Sequence, residues 1–447
     1  MPGTRPLRIM VLSAGTGSFH CGISVRDLAL ADGLRQRGHL VRVTPLYLPL
    51  RLEGPAEGLG PLFLGGVNMF LQQHVPPCRV TPRWLDAAWD CPHLLRFAAG
   101  LSDMTRARGA GSLTVSMLRG RHGHQRKEIA RLMRWLRRQA VDVVVLSSIL
   151  LSGLAGELAA LGLPVFCLMG GEEGFIDCLG AEHADPAWTL IRSQARHVTH
   201  FLPVSAYAAA ALAPRLGLTA EHWTVLHPGL DLTGFIPADQ PPCEPVIGHL
   251  AHLAPIKGLH TLVAGVGHLR NRPVGAAARL LVVGSRTPAD RLYVASQCRR
   301  ARRAGIPLAL VCNVDRQAKI AQLRQMSVLC VPPTYPEAFG LYLIEAMACG
   351  VPVVVPQRGA LAEVVAATGG GITYPVDDHH GPDPDEPLAL AQALAGLLQD
   401  PGRCRDLGRR GHDAVHQRFT HQAAAAALEA IMLASPAVAA RVSAPSG

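Results

Sequence analysis

Glu337 and Glu345 are separated by seven intervening residues in the run PEAFGLYLIEAMACGVPVVVP. An apolar run at 328–331 precedes them and another at 353–355 follows, so both lie between two strands. Gly340 marks the turn into a helix. The amides of Phe339, Gly340 and Leu341 then head that helix at its positive end, which suits a pyrophosphate. Glu345 falls about one and a half turns in, roughly 7 Å along the axis. A carboxylate there can accept two ribose hydroxyls while the phosphates stay on the amides. Glu337, in the loop before the helix, faces a sugar carried beyond them. On a bare helix two such glutamates would be solvated charges; the loop, the glycine and the flanking strands favour a nucleotide site.

The elements that must position these residues follow from the alternation of apolar runs and helical patterns. Residues 7–12 read as a strand, 13–22 as a glycine-containing loop, 25–37 as a helix ended by Gly38, and 40–44 as a second strand, a βαβ unit. Residues 47–120, with Trp84 and Trp89, read as an insertion of loops and short helices with no legible task. Strands at 141–146, 165–168 and 198–204 alternate with helices near 125–139, 148–161 and 205–216. The stretch 227–245 is rich in Pro, Gly and Asp and marks a linker. Beyond it the alternation repeats, with strands at 246–251, 280–283, 308–312, 328–331 and 353–355. This predicts an α/β protein with an N-terminal Rossmann-like domain over 1–237 and a second over 238–418. A helix over 419–434 could return to the first domain, and a small-residue tail at 435–447 reads as disordered. Two doubly wound halves face each other across a cleft, and ligands of open α/β sheets bind at the carboxyl ends of the strands.

Composition narrows the partners. The chain of 447 residues exceeds what one core supports, and 49% apolar with 17% charged residues is globular composition. The net charge of +10 comes from arginine, because Lys127, Lys257 and Lys319 are the only lysines. Such a surface favours anionic partners. Nucleic acid is not among those expected, since aromatics are 5% and no basic run interleaves them. Eleven cysteines without a C-x-x-C pair argue against zinc or a disulfide framework, and most are expected to be reduced and buried. The apolar run at 9–12 is too short for a signal peptide, and the stretch 143–171 reads as buried sheet divided by Gly162 and Pro164, so a cytoplasmic protein is expected. In RGRHGHQRKEIARLMRWLRRQ, Ile129, Leu132, Met133 and Leu136 share one helix face with arginines around the rest. That face either packs on the core or accompanies attraction to an anionic leaflet.

The segment 336–355 resembles the E-x7-E motif of family 4 glycosyltransferases, which have the two-domain GT-B fold and retain anomeric configuration. The similarity runs from Arg8 to about Phe419 and is best in the second domain. The resemblance implies that Glu345 binds ribose, that Glu337 contacts the donor sugar and that no metal is required. In IGHLAHLAPIKGLH it assigns Lys257, before Gly258, to the leaving diphosphate. The family's arginine five residues earlier falls on His252, a weaker and titratable donor. AGTGSFHCG resembles the family's glycine-rich loop, where Gly15 and Gly17 bring a backbone amide toward the donor and His20 is a candidate cleft residue. Many members carry a histidine where this chain has Gly170. Glu172 and Glu173 are the candidate polar contacts to a sugar or acceptor there, with helix capping as the alternative.

The resemblance implies a retaining transfer from a nucleotide diphosphate sugar to a saccharide, lipid or small-molecule acceptor. Lys257 and Glu337 are its catalytic residues, with no cofactor and a cytoplasmic location that could extend to the inner membrane face. The leaving phosphate oxygen takes the acceptor proton. Gly170 and His252 keep open a non-transferring protein of the same fold that binds nucleotide sugar or saccharide. A phosphorylase would need a lysine bonded to pyridoxal phosphate, for which the place of Lys257 leaves little room.

Overall fold

Strands buried on both faces need no polar alternation, and the valine, leucine and isoleucine runs form two wholly parallel sheets. The computed structural model describes residues 5–14, 22–47, 61, 63–81, 107–240, 242–377 and 383–443. Gly15, Gly17 and His20, and much of the 47–120 insertion, lie outside them. The chain divides into two compact units, one made of Met1–Gly229 with His421–Gly447 and the other of Leu230–Thr420.

In the first unit β1 (Arg8–Ser13), β2 (Leu40–Pro45), β3 (Val143–Leu146), β4 (Val165–Met169) and β5 (His200–Pro203) are ordered β2-β1-β3-β4-β5. The chain leaves β1 toward β2 and then crosses to β3 on the other side. That reversal is the topological switch point, the usual place for a ligand. In the second unit β6 (Val246–Leu250), β7 (Arg279–Gly284), β8 (Leu308–Cys312), β9 (Val328–Cys330), β10 (Val353–Pro356) and β11 (Gly371–Tyr374) are ordered β11-β10-β9-β6-β7-β8. Its switch point lies between β6 and β9.

Three expectations need correction. The division falls at 229/230 rather than 237/238, because Leu230 donates to Phe419 O at 2.9 Å and Arg316 binds Asp231 at 3.1 Å, tying 230–237 to the second unit. The tail expected to be disordered continues as the helix Pro436–Ser443. Val438 is buried in the first unit's core, and Arg441 donates to Val141 O and Gly162 O, which gives this helix the anchoring its composition did not announce. Of the nine described cysteines only Cys167, Cys330 and Cys349 are buried; the others lie on helix faces, an edge strand or loops where packing is incomplete.

The helix His421–Ala434 packs on the helix Gly22–Gln36 within the first unit. A Cβ on Gly33 would lie 2.4 Å from His421 O, so the glycine permits the close approach.

Candidate active site

Lys257 and Glu337 meet at the switch point of the second sheet. β6 and β9 are hydrogen-bonded neighbours, with Gly248 opposite Leu329, so the loops leaving their carboxyl ends must run side by side. The first loop contains Lys257 and the second contains Tyr335 and Glu337. Thr334 N donates to Ile256 O at 2.9 Å, which joins the two. Gly258 then turns with φ +70°, and a Cβ on it would fall 1.6 Å from Pro332 O. Only glycine allows that contact.

Within this frame Lys257 Nζ donates to Glu337 Oε2 at 2.6 Å and bonds the Tyr335 hydroxyl. Tyr335 donates to Glu337 Oε1 at 2.9 Å, and Tyr342 lies 3.4 Å from Oε2. The ammonium also stands 4.8 Å from the Tyr335 ring centre and 5.7 Å from that of Tyr342. Burial first, and the charge of Glu337 second, push the Tyr342 phenol well above its ordinary value, so it remains a donor. Behind Glu337 the backbone is held tightly: Ala360 N donates to Glu337 O at 2.7 Å, and Gly359 packs so close that a Cβ would lie 2.5 Å from Glu337 N. Arg358, buried with Glu386, donates to Pro333 O, while Tyr374 donates to Glu386 at 3.1 Å. The loop's shape is therefore set from below by a buried polar network.

The helix Leu341–Ala348 begins at Gly340, which has φ 85°. Phe339 is a core residue with its ring 5.8 Å from that of Phe419, so only its backbone is suited to a ligand. Glu345 Oε1 accepts from Lys319 Nζ at 2.5 Å. Each glutamate of the spaced pair thus has its own lysine. Lys127, the third lysine, donates to Cys78 O and Thr81 Oγ1 in the first unit.

The remaining candidates are placed differently. His252 bonds Ser285 Oγ through Nδ1 at 2.9 Å and faces Asp290 through Nε2 at 3.3 Å, so both ring nitrogens are engaged. Glu172 is buried; its two oxygens accept from Ile149 N at 3.3 Å and Gly170 N at 2.7 Å, a clamp on the loop after β4. Glu173 is partly buried, and that burial raises its carboxyl above the ordinary range. Ile129, Leu132, Met133 and Leu136 face the first unit's core. Tyr335, Tyr342 and Lys319 are the residues that spacing did not disclose, although the scarcity of lysine was a signal for the last.

Residues 244–400 match the family described as Glycosyl transferases group 1, and 110–233 match Glycosyltransferase Family 4. Both matched segments are of glycosyltransferase families, and the two parallel-sheet units have the GT-B fold. D-inositol 3-phosphate glycosyltransferase 2 of Catenulispora acidiphila is 32% identical over 232 residues, 49% of this chain and 52% of that one. The enzyme of Kribbella flavida called D-inositol 3-phosphate glycosyltransferase is 30% identical over 198 residues, 41% of this chain and 45% of that one. This chain therefore spans about half the length of these curated relatives. Among solved glycosyltransferase-fold structures, sucrose-phosphate synthase from Thermosynechococcus elongatus gives a TM-score of 0.69 at 18% identity, covering 95% of this chain and 98% of that one. Anabaena Alr3699/HepE in complex with UDP and glucose gives 0.63 at 16%, covering 96% and 99%. At such identities the likeness concerns the fold.

Proposed function

We propose that this GT-B protein is a retaining glycosyltransferase whose second unit binds a nucleotide diphosphate sugar. The observation that carries the reading is the bonded cluster of Lys257, Glu337 and Tyr335 beside the helix that begins at Gly340. An ammonium has three donors, and Lys257 uses two on Glu337 and Tyr335, leaving one for a diphosphate oxygen. The amides at the start of the helix supply further donors. Glu345 gives Oε1 to Lys319 and offers Oε2 to a ribose hydroxyl. Glu337 faces the sugar. As the acceptor oxygen bonds to the anomeric carbon, the bond from that carbon to the phosphate oxygen breaks, and that oxygen takes the acceptor proton. Lys257 and the helix amides stabilise the charge that builds on the leaving group. They carry the counter-charge that a metal would otherwise supply, so the reading invokes no cofactor.

The acceptor is a saccharide, a lipid or a small molecule, and Arg126, Arg134 and Arg137 attract the protein peripherally to an anionic membrane. A thermal-shift panel of UDP, GDP and ADP sugars identifies the donor, since a ligand of the native state raises apparent stability. With that donor, Lys257→Ala and Glu337→Gln are expected to lower kcat by about 100-fold or more while the fold is kept. Near-normal turnover in Lys257→Ala would sink the assignment. Donor binding without transfer in the wild type would favour the non-transferring reading suggested by Gly170.

A further inference from the structure

The switch point of the first sheet holds a buried arginine that spacing alone did not single out. Ser13 ends β1, and Ser147 follows β3; Ser147 N donates to Leu12 O at 3.1 Å and Ala14 N to Ser147 Oγ at 3.1 Å, so the two strand ends are joined. Arg26, on the helix Gly22–Gln36, reaches across them and is only 5% exposed. Its Nε and Nη2 donate to Asp27 Oδ1 at 3.0 and 2.8 Å, and Nη2 also donates to Ser147 O at 2.6 Å. Asp27 Oδ2 in turn accepts from Ser13 Oγ at 2.7 Å. The guanidinium plane is fixed, and Nη1 is left without a bond among the described residues.

Gly170, following β4, adjoins that free nitrogen. A Cβ built on Gly170 would lie 3.4 Å from Arg26 Nη1, so the absence of a side chain keeps its approach open. Packing alone gives no reason for this arrangement, because two buried charges cost several kcal/mol of desolvation and an apolar pair would fill the space. Burial pushes the Asp27 carboxyl up, and the charge of Arg26 opposes that shift. A fixed guanidinium edge at the carboxyl ends of parallel strands matches a phosphoryl oxygen.

We propose that Arg26 Nη1 binds a phosphoryl oxygen of a substrate in the space that Gly170 leaves open. This rests on the reading of the chain as a transferase of nucleotide diphosphate sugars. The phosphoryl group belongs either to the donor diphosphate or to a phosphorylated acceptor, and binding measurements separate the two sources.

The probes are UDP and, at saturating UDP, inorganic phosphate, each titrated by calorimetry. Arg26→Met combined with Asp27→Asn removes both buried charges at similar volume, and Gly170→Leu covers Nη1 while leaving Arg26 in place. Folding of each is verified by its melting curve. A loss of about tenfold in UDP affinity in both variants assigns Arg26 to the donor. Unchanged UDP affinity with a similar loss of phosphate affinity assigns it to an acceptor phosphate. Wild-type affinity for both probes in either folded variant overturns the proposal. If Lys257→Ala loses UDP affinity in the same series, the donor-site reading survives that failure. If wild-type protein binds none of UDP, GDP and ADP, that reading fails and phosphate binding alone decides the role of Arg26.

Discussion

His249 shows how a buried side chain fixes the backbone of a residue proposed to meet the substrate. It is fully buried on β6, its Nε2 bonds Lys257 O at 3.1 Å, and its Nδ1 has no partner among the described residues. Burial pushes it down to about 4, so the ring is neutral and Nε2 carries the proton that holds the lysine's backbone. An unfolded chain takes up a proton near pH 6.5 that the native protein refuses until about pH 4. The unfolded state therefore binds more protons inside that window, and stability falls as pH drops through it, by on the order of 3 kcal/mol. His249→Gln keeps a donor and does not titrate. Melting temperatures from pH 7 to 4 are expected to fall less steeply in this variant than in the wild type; parallel curves would refute the assignment. Glu337 and Glu345 were legible from their spacing together with the glycine and the two apolar runs around them, and Lys257 through the family resemblance. His249, Tyr335 and Lys319 were not, since what gives them meaning is a partner brought from another element.

At the scale of elements, the site is a meeting of two loops, and Gly258 decides whether they meet. Gly258→Ala puts a side chain at φ +70°, which costs about 1–2 kcal/mol, and drives a methyl into Pro332 O, where the backbone must move. The turn is expected to swing out and separate Lys257 from Glu337, lowering the melting temperature and weakening UDP binding at least tenfold. Gly267→Ala, on the helix Leu259–Arg270, is the contrasting change. Its nearest neighbour would be Ile306 Cδ1 at 4.0 Å, so it should stabilise by up to about 1 kcal/mol and leave binding alone. Equal UDP affinity in the two variants would show that the turn does not position the lysine. The strands at 246–251, 280–283 and 308–312 were readable as apolar runs, each followed by a helix. The strand Gly371–Tyr374 and the helices Leu361–Thr368, Glu386–Leu398 and Pro401–Arg418 were not. Four residues give too short a period, and helices rich in alanine, glycine or arginine carry weak boundaries. Arg358 and Glu386, which hold the Glu337 loop, therefore had no visible place beforehand.

For the whole molecule, connectivity and charge outweigh local pattern. The Pro- and Gly-rich stretch at 227–245 correctly suggested a passage between units, yet the crossing occurs where Leu230 pairs with Thr420, a contact between residues remote in the chain. Among the described residues no single helix is long and apolar enough to cross a membrane, and the apolar stripe of the helix Arg126–Leu136 is spent on the core. Any membrane attraction through that helix is then electrostatic. Arg131 is partly neutralised by Glu128, whereas Arg126, Arg134, Arg137 and Arg138 are exposed on a chain of net charge +10. Each such cation near an anionic surface contributes about 1 kcal/mol, and the effect decays within a Debye length of about 10 Å at 0.1 M salt. In flotation assays the protein is expected to bind phosphatidylglycerol-rich vesicles at low salt and neutral vesicles not at all. Arg126→Glu, Arg134→Glu and Arg137→Glu together should abolish that binding while leaving UDP affinity intact, because all three are exposed and none is bonded to Arg26, Lys257, Glu337 or Glu345. Binding that persists in the triple variant, or that resists 0.5 M salt as only a weakly screened contact would (Debye length about 4 Å), would remove this helix as the membrane contact.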